Sequence, residues 1–215
     1  MAIHIFIDSS NVYGGVQTAA KVLEPAANSA ALRLHYRNLF ALLEDDREVG
    51  TRMLAGSVTA ANSLVFKYAT ECGYEADLLR RIANEDGSAK EQAVDEMLHL
   101  RIANALLDFD PPQTLVLATG DGREHRRDCS FPRQVVRALR RGWNVEVYSW
   151  AGCLSPAFSD IRVATTGALS VRHLDQYYNA ITFFKGGRSS AHGVEFDLGE
   201  RRARYPRKLS HGSFW

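Results

Sequence analysis

Residues Thr114–Gly122 read TLVLATGDG, an apolar run that ends in a Thr-Gly-Asp-Gly turn. A run of five uncharged, mostly apolar residues is typical of a strand that is buried on both faces of a parallel sheet. A second run, IHIFI at Ile3–Ile7, is followed at once by Asp8. Because ligands of open parallel sheets collect at the carboxyl ends of the strands, we expect Asp8 and Asp121 to lie at one edge of one sheet.

Strand-like and helix-like segments alternate through the first 150 residues. This alternation predicts βαβ units around a parallel sheet, so the predicted fold class is α/β. The segment DSSNVYGG at Asp8–Gly15 is rich in turn-forming residues, which predicts a loop. Further strands are predicted at 51–58, 74–79 and 144–150, and helices at 29–44, 63–71, 90–108 and 130–141.

The composition is that of an ordinary globular chain, with 46% hydrophobic and 24% charged residues among 215. The three cysteines have no CxxC or CxxH spacing, which excludes a structural zinc site and a disulfide scaffold. No signal peptide and no apolar stretch of membrane-spanning length is visible. We therefore expect a cytoplasmic protein with reduced thiols and no membrane contact.

The last 31 residues differ in charge from the rest of the chain. Residues 185–215 contain seven Lys and Arg residues against three Asp and Glu residues. They are also rich in Gly, Arg and Ser without periodicity, which predicts a flexible tail. The chain is thus divided into a domain at 1–184 and a basic tail at 185–215, and the tail is expected to contact RNA or a protein partner.

Asp95 stands out within the predicted helix at 90–108. It lies roughly 120–140° around the helix from the charged face, beside apolar residues. A carboxylate on a core-facing stripe is costly unless it is paired or binds a cation. His99, one turn later, is one candidate partner. A cation shared with Asp8 and Asp121 is the other, although each of those two, taken alone, also fits a turn or helix-capping aspartate.

Converging carboxylates at Asp8, Asp95 and Asp121 would repel one another and could not all stay ionised without a cation. Oxygen ligands without cysteine select Mg²⁺ or Mn²⁺ over zinc. Such ions activate water and neutralise the charge of a phosphodiester. The three aspartates therefore predict metal-assisted hydrolysis of a phosphate ester.

Three motifs, in this order and spacing, resemble the NYN domain, a branch of the PIN-like nucleases. They are IDSSN at Ile7–Asn11, KEQAVDEML at Lys90–Leu98 and LVLATGDG at Leu115–Gly122. The resemblance covers residues 2–150, with a weaker continuation to Phe184. It implies a PIN-like, Rossmann-like three-layer sandwich with a central, mainly parallel sheet, and a ribonuclease activity that depends on Mg²⁺ or Mn²⁺.

The resemblance also implies a role for individual residues. Asp8 corresponds to the first metal ligand, and Asn11 to the polar partner that positions substrate or metal-bound water. Asp95 corresponds to the helix aspartate of the site and Asp121 to the aspartate of the Gly-Asp pair. Lys90 resembles a basic residue that faces a phosphate; the alternative is a solvated lysine in the first turn of the helix.

The sequence departs from the family pattern at Arg123, where a second aspartate is usual. Glu124 or Asp128 is a candidate for the missing carboxylate; otherwise the site works with three. A third possibility is a PIN-like RNA-binding module that is catalytically weak or inactive.

RNA, single-stranded or structured, is the predicted partner. Arg123 and Arg127 lie in the loop after Asp121, where they are expected to contact phosphates. Tyr13 is a candidate for stacking on a base, with a packed loop tyrosine as the alternative.

Two other enzyme classes fit the sequence less well. A phosphohydrolase of the haloacid-dehalogenase type needs an acid two residues after Asp8, where Ser10 stands. A dinucleotide-dependent oxidoreductase needs GxGxxG after the first strand, and that motif is missing there.

Overall fold

The computed structural model describes residues 1–26, 28, 31–58, 63–80, 92–122, 130–165, 167–186, 188–191, 194–197 and 199–204. The strands are β1 (Ile3–Asp8), β2 (Leu32–Leu34), β3 (Val49–Val58), β4 (Glu75–Arg80), β5 (Thr114–Ala118), β6 (Asn144–Ser149), β7 (Leu169–His173), β8 (Thr182–Phe184), β9 (Arg188–Ala191) and β10 (Val194–Asp197). The α-helices are α1 (Ser9–Leu23), α2 (Tyr36–Glu44), α3 (Ser63–Glu71), α4 (Gln92–Asp108), α5 (Phe131–Arg140), α6 (Pro156–Ala164) and α7 (Tyr178–Ile181).

A six-stranded parallel sheet in the order β4-β3-β1-β5-β6-β7 forms the centre of the fold. Helices α1, α2 and α3 pack on one face, and α4, α5 and α6 on the other. Alternate residues of β1 serve the two sides, since Ile5 and Ile7 belong to one apolar core and Phe6 to the other. The chain therefore forms a Rossmann-like three-layer α/β sandwich, as predicted.

Most of the predicted elements are confirmed, with boundaries shifted by one or two residues. Helix α5 begins as expected, because the Ser130 side chain accepts a hydrogen bond from the Arg133 backbone N–H and Pro132 lies in the first turn. Gly142, just after the helix, has a φ of +82°, a conformation that glycine adopts without strain.

The predicted loop at Asp8–Gly15 is wrong, because helix α1 starts directly after β1. The Asp8 carboxylate caps this helix by accepting a hydrogen bond from the Asn11 backbone N–H. Both glycines of the segment lie inside the helix, and Gly15 packs directly against the Trp150 ring. The turn-forming residues of this segment therefore have other roles: Asp8 caps the helix, and Gly15 leaves room for the Trp150 ring.

The predicted helix at 29–44 is wrong in its first half. Residues Leu32–Leu34 form strand β2, which pairs antiparallel with Thr182–Phe184 of β8. Leu32 and Leu34 are buried on either side of a half-exposed residue, the alternation of a strand. The His35 side chain then caps α2 by accepting a hydrogen bond from the Asn38 backbone N–H.

Part of the segment predicted as a tail has regular structure. Strands β9 and β10 pair with each other in an antiparallel hairpin. Arg201 bridges to Phe184 and places its guanidinium over the Phe184 ring. None of the helices within the described ranges is long and apolar enough to cross a bilayer.

Candidate active site

The carboxyl ends of β1 and β5 lie side by side at the centre of the sheet. Ile7 pairs with Ala118, so Asp8 and Thr119 follow at the same level of neighbouring strands. Asp8 is only 4% exposed, and Thr119 is fully buried. The predicted arrangement of Asp8 and Asp121 at one sheet edge is therefore found in the structure.

A single hydroxyl group connects these two aspartates. The Thr119 Oγ1 donates a hydrogen bond to Asp8 Oδ2 at 3.1 Å and accepts one from the Asp121 backbone N–H at 3.2 Å. The other oxygen of Asp8, Oδ1, accepts the hydrogen bond from Asn11 N at 3.0 Å. The Asp8 side chain is thus held in place through both of its oxygens.

Asn11 fixes the loop that carries Asp121. Its Oδ1 accepts a hydrogen bond from the Gly120 backbone N–H at 2.8 Å. The Gly120 carbonyl in turn accepts a hydrogen bond from Ser155 N at 2.9 Å. A Cβ at Gly120 would overlap the Cys153 carbonyl and the Ser149 hydroxyl. Asn11, for which a role in positioning substrate or metal-bound water is predicted, holds the backbone of this loop in the structure.

Asp95 lies in the first turn of α4 and is half-buried. Helix α4 connects the parallel strands β4 and β5, so it runs opposite to them and begins at the same sheet edge as Asp8. His99, the alternative partner, is buried one turn further along, and its ring packs against Phe131 with centroids 4.5 Å apart.

The three carboxylates interact electrostatically. The pKa of Asp8 is raised to about 7, chiefly by burial and in smaller part by the negative charges of Asp95 and Asp121. The hydrogen bonds from Asn11 and Thr119 act in the opposite direction and do not offset the burial. A buried acid that resists ionisation beside two other acids is the arrangement that a bound cation relieves.

The chemistry of this donor set fits Mg²⁺ or Mn²⁺, because aspartate oxygens are the hard ligands that these ions prefer. Asp8, Asp95 and Asp121 are the residues that would hold the ion. Across the described ranges, however, no group of three or more His, Cys, Asp or Glu side chains is already arranged as a set of metal ligands.

The other predicted site residues have different outcomes. Tyr13 lies on α1 and is 43% exposed, so its ring is accessible from solvent. Five predicted residues lie outside the described part of the chain: Lys90, Arg123, Glu124, Arg127 and Asp128.

Sequence reasoning missed Thr119, which links the two strand ends. The signal was present in the alternation of β5, because Leu115, Leu117 and Thr119 share one face of the strand. Thr119 continues this apolar face beyond the end of β5. We therefore expect its side chain to lie beside Asp8, which ends the neighbouring strand β1.

No family model matches this sequence, and no curated protein matches it. The fold is similar to the crystal structure of a protein of unknown function from Vibrio parahaemolyticus RIMD 2210633. The two chains are 20% identical, with a TM-score of 0.55 over 81% of this chain and 94% of the other. This likeness supports the fold alone.

Proposed function

We propose that this protein is a metal-dependent ribonuclease that hydrolyses RNA phosphodiester bonds. The observation that carries the proposal is geometric: Thr119 joins Asp8 and Asp121 at one sheet edge, where α4 also begins with Asp95 in its first turn. The raised pKa of the buried Asp8, to which Asp95 and Asp121 both contribute, supports it. When bound, Mg²⁺ or Mn²⁺ would lower the pKa of a water molecule and neutralise charge on the phosphate. Asp8, Asp95 and Asp121 would hold the ion, while Thr119 and Asn11 keep the two strand ends in register.

RNA is proposed as the substrate on two grounds. The motifs at Ile7–Asn11, Lys90–Leu98 and Leu115–Gly122 resemble the NYN domain. Helix α5, which begins at the same sheet edge, has exposed arginines at 133, 137 and 140 that suit a polyanion.

We place this activity in the cytoplasm. Cys72 and Cys153, the two cysteines among the described residues, are free thiols. Free thiols are typical of a reducing compartment.

A PIN-like RNA-binding module without turnover is the second candidate. Both oxygens of Asp8 already accept protein hydrogen bonds, and the described carboxylates do not form a ready-made set of ligands. Arg123 also stands where the family pattern has an acid. These three features are the grounds for the second candidate, in which the site binds RNA without cleaving it.

Cleavage of a fluorescent single-stranded RNA in Mn²⁺, Mg²⁺ or EDTA tests the proposal. We expect cleavage that requires metal and that falls by about 100-fold or more in Asp8→Asn and in Asp121→Asn, since losing even an outer-shell group costs 10–100-fold. Asp108→Asn, an exposed position at the end of α4, is the matched control and should retain full activity.

Calorimetric titration with Mn²⁺ gives a readout that does not depend on activity. Binding that is lost in Asp8→Asn but kept in Asp108→Asn supports the carboxylate site. RNA binding that weakens steeply with salt, without cleavage in any metal, would favour the binding module. If the protein neither cleaves nor binds RNA, the proposed nucleic-acid function is overturned altogether.

A further inference from the structure

A groove of about 510 Å³ opens between the start of α2, strand β8 and residues 200–203. It is lined by His35, Phe183, Lys185 and Arg202 among others. We call it the tail groove, because one of its walls comes from the segment after β8.

Backbone hydrogen bonds fix this wall to the domain. Phe184 N donates to the Arg201 carbonyl at 2.8 Å, Lys185 N to the Ala31 carbonyl at 3.0 Å, and Arg204 N to a carbonyl of α7 at 2.9 Å. The Arg201 guanidinium also donates to Thr182 O and Oγ1 at 3.0 and 2.7 Å. The tail groove is therefore a formed feature of the fold.

Aromatic and basic side chains share the tail groove. The rings of His35 and Phe183 meet edge to face, with centroids 6.0 Å apart. Of the nine lining residues, three are Lys or Arg and one is acidic. Burial and the nearby charge of Arg37 lower the pKa of His35, so this ring is neutral at pH 7 and can stack.

Tyr36 connects the tail groove to the carboxylate edge. It follows His35 in the chain, and its hydroxyl lies 3.0 Å from the Ser9 hydroxyl, next to Asp8. The exposed ring of Tyr13 lies on the same helix as Ser9, one turn further on. Tyr36 thus links the segment that lines the tail groove to the start of α1, beside Asp8.

We propose that the tail groove binds single-stranded nucleic acid, with bases stacked on His35 and Phe183 and phosphates against Lys185 and Arg202. This inference rests on the proposed function, since it names a substrate-binding surface for that site. Stacking platforms interleaved with basic groups are how proteins hold single strands without regard to sequence. An acidic peptide would satisfy the charges but would leave the two rings unused.

Fluorescence anisotropy with a labelled 12-nucleotide single-stranded RNA in EDTA tests the proposal without cleavage. We expect Lys185→Glu combined with Arg202→Glu to weaken binding by about tenfold or more, because phosphate contacts are lost and repulsion is added. The charge-matched control combines Lys67→Glu with Arg162→Glu, exposed positions on α3 and in the last turn of α6 to which no role in RNA binding is assigned. It should bind within twofold of the wild type.

Phe183→Leu keeps an apolar side chain on β8 but removes the ring, and we expect about tenfold weaker binding. Thermal unfolding shows whether Phe183→Leu folds. The Lys185→Glu, Arg202→Glu double variant, whose substitutions are at exposed positions, tests the tail groove independently. An equally charged poly-aspartate peptide that displaces the RNA as well as unlabelled RNA does would overturn the proposal, because it would show a general anion surface.

Cleavage kinetics separate this inference from the proposed function. Groove variants should raise KM by about tenfold and leave kcat within twofold, since they remove binding by residues outside the carboxylate site. If the wild type cleaves RNA and the groove variants still bind the 12-nucleotide RNA normally, only the proposal for the tail groove is overturned. If the wild type binds RNA through the tail groove but does not cleave it, only the proposed ribonuclease activity is overturned.

Discussion

Asp8 lowers the stability of the folded protein when it ionises. Its pKa rises from 3.8 in the unfolded chain to about 7 in the fold, so its contribution to stability is full below about pH 4 and is lost as the pH rises through 7. Asp8→Asn cannot ionise. We therefore expect this variant, in EDTA, to exceed the wild type in free energy of unfolding at pH 8 by up to about 4 kcal/mol, with no gain at pH 4.

Urea unfolding at pH 4, 6 and 8 measures this difference. Asp108→Asn, at an exposed position at the end of α4, is the matched control. If the stability difference between Asp8→Asn and the wild type were no larger at pH 8 than at pH 4, the burial and the neighbouring charges at the site would not raise the pKa of Asp8.

The sequence allowed the placement of the two strand-end aspartates but not of the groups that hold them. Parallel strands end at a common edge, so Asp8 and Asp121 could be brought together from the apolar runs that precede them. The Thr119 hydroxyl and the bond from Gly120 N to Asn11 depend on distances across that edge. The alternation of β5 indicates the face on which Thr119 lies, but it does not encode these distances.

At the scale of the element, α1 combines two glycines with different surroundings. A Cβ at Gly14 would meet nothing within 4 Å, whereas one at Gly15 would overlap the Trp150 ring. That ring is buried and is held by the hydrogen bond from its Nε1 to the Val12 carbonyl at 2.9 Å. It therefore cannot yield without breaking this bond.

We expect Gly14→Ala to stabilise the protein by about 0.5–1 kcal/mol, as alanine favours a helix interior over glycine. Gly15→Ala should destabilise it by about 2 kcal/mol, because overpacking outweighs the same helix preference. Urea unfolding of the two variants gives both numbers. Equal changes at the two positions would contradict the close contact between α1 and Trp150.

The two elements that the sequence mispredicted fail for different reasons. In α1, the glycines and serines that resemble a loop are required by the cap at Asp8 and by the packing against Trp150. Strand β2 exists through its pairing with β8, at the other end of the domain in sequence. Local propensity cannot report a partner that distant, so the sequence predicts one continuous helix over 29–44.

At the scale of the whole molecule, the segment after β8 closes the domain around a single side chain. The Arg201 guanidinium donates to Thr182, pairs with Glu24 at 3.4 Å, and lies over the Phe184 and Tyr178 rings at 4.7 and 5.3 Å. Arg201 thus ties the end of α1, strand β8 and helix α7 together. The neighbouring Arg202 is almost fully exposed.

These neighbours form a matched pair for testing whether the segment is docked. Arg201→Ala should lower the free energy of unfolding by about 2 kcal/mol, because it leaves the buried Thr182 oxygens without their donor and the Glu24 carboxylate without its ion-pair partner. It should also speed limited trypsin cleavage within 185–204, since the wall of the tail groove loses its anchor. Arg202→Ala should change stability by less than about 0.5 kcal/mol and leave the cleavage pattern unaltered, because its ion pair is exposed. Equal protease sensitivity in the two variants would mean that backbone pairing alone holds this wall. Arg201 would then contribute only its ion pair with Glu24 and would not anchor the segment.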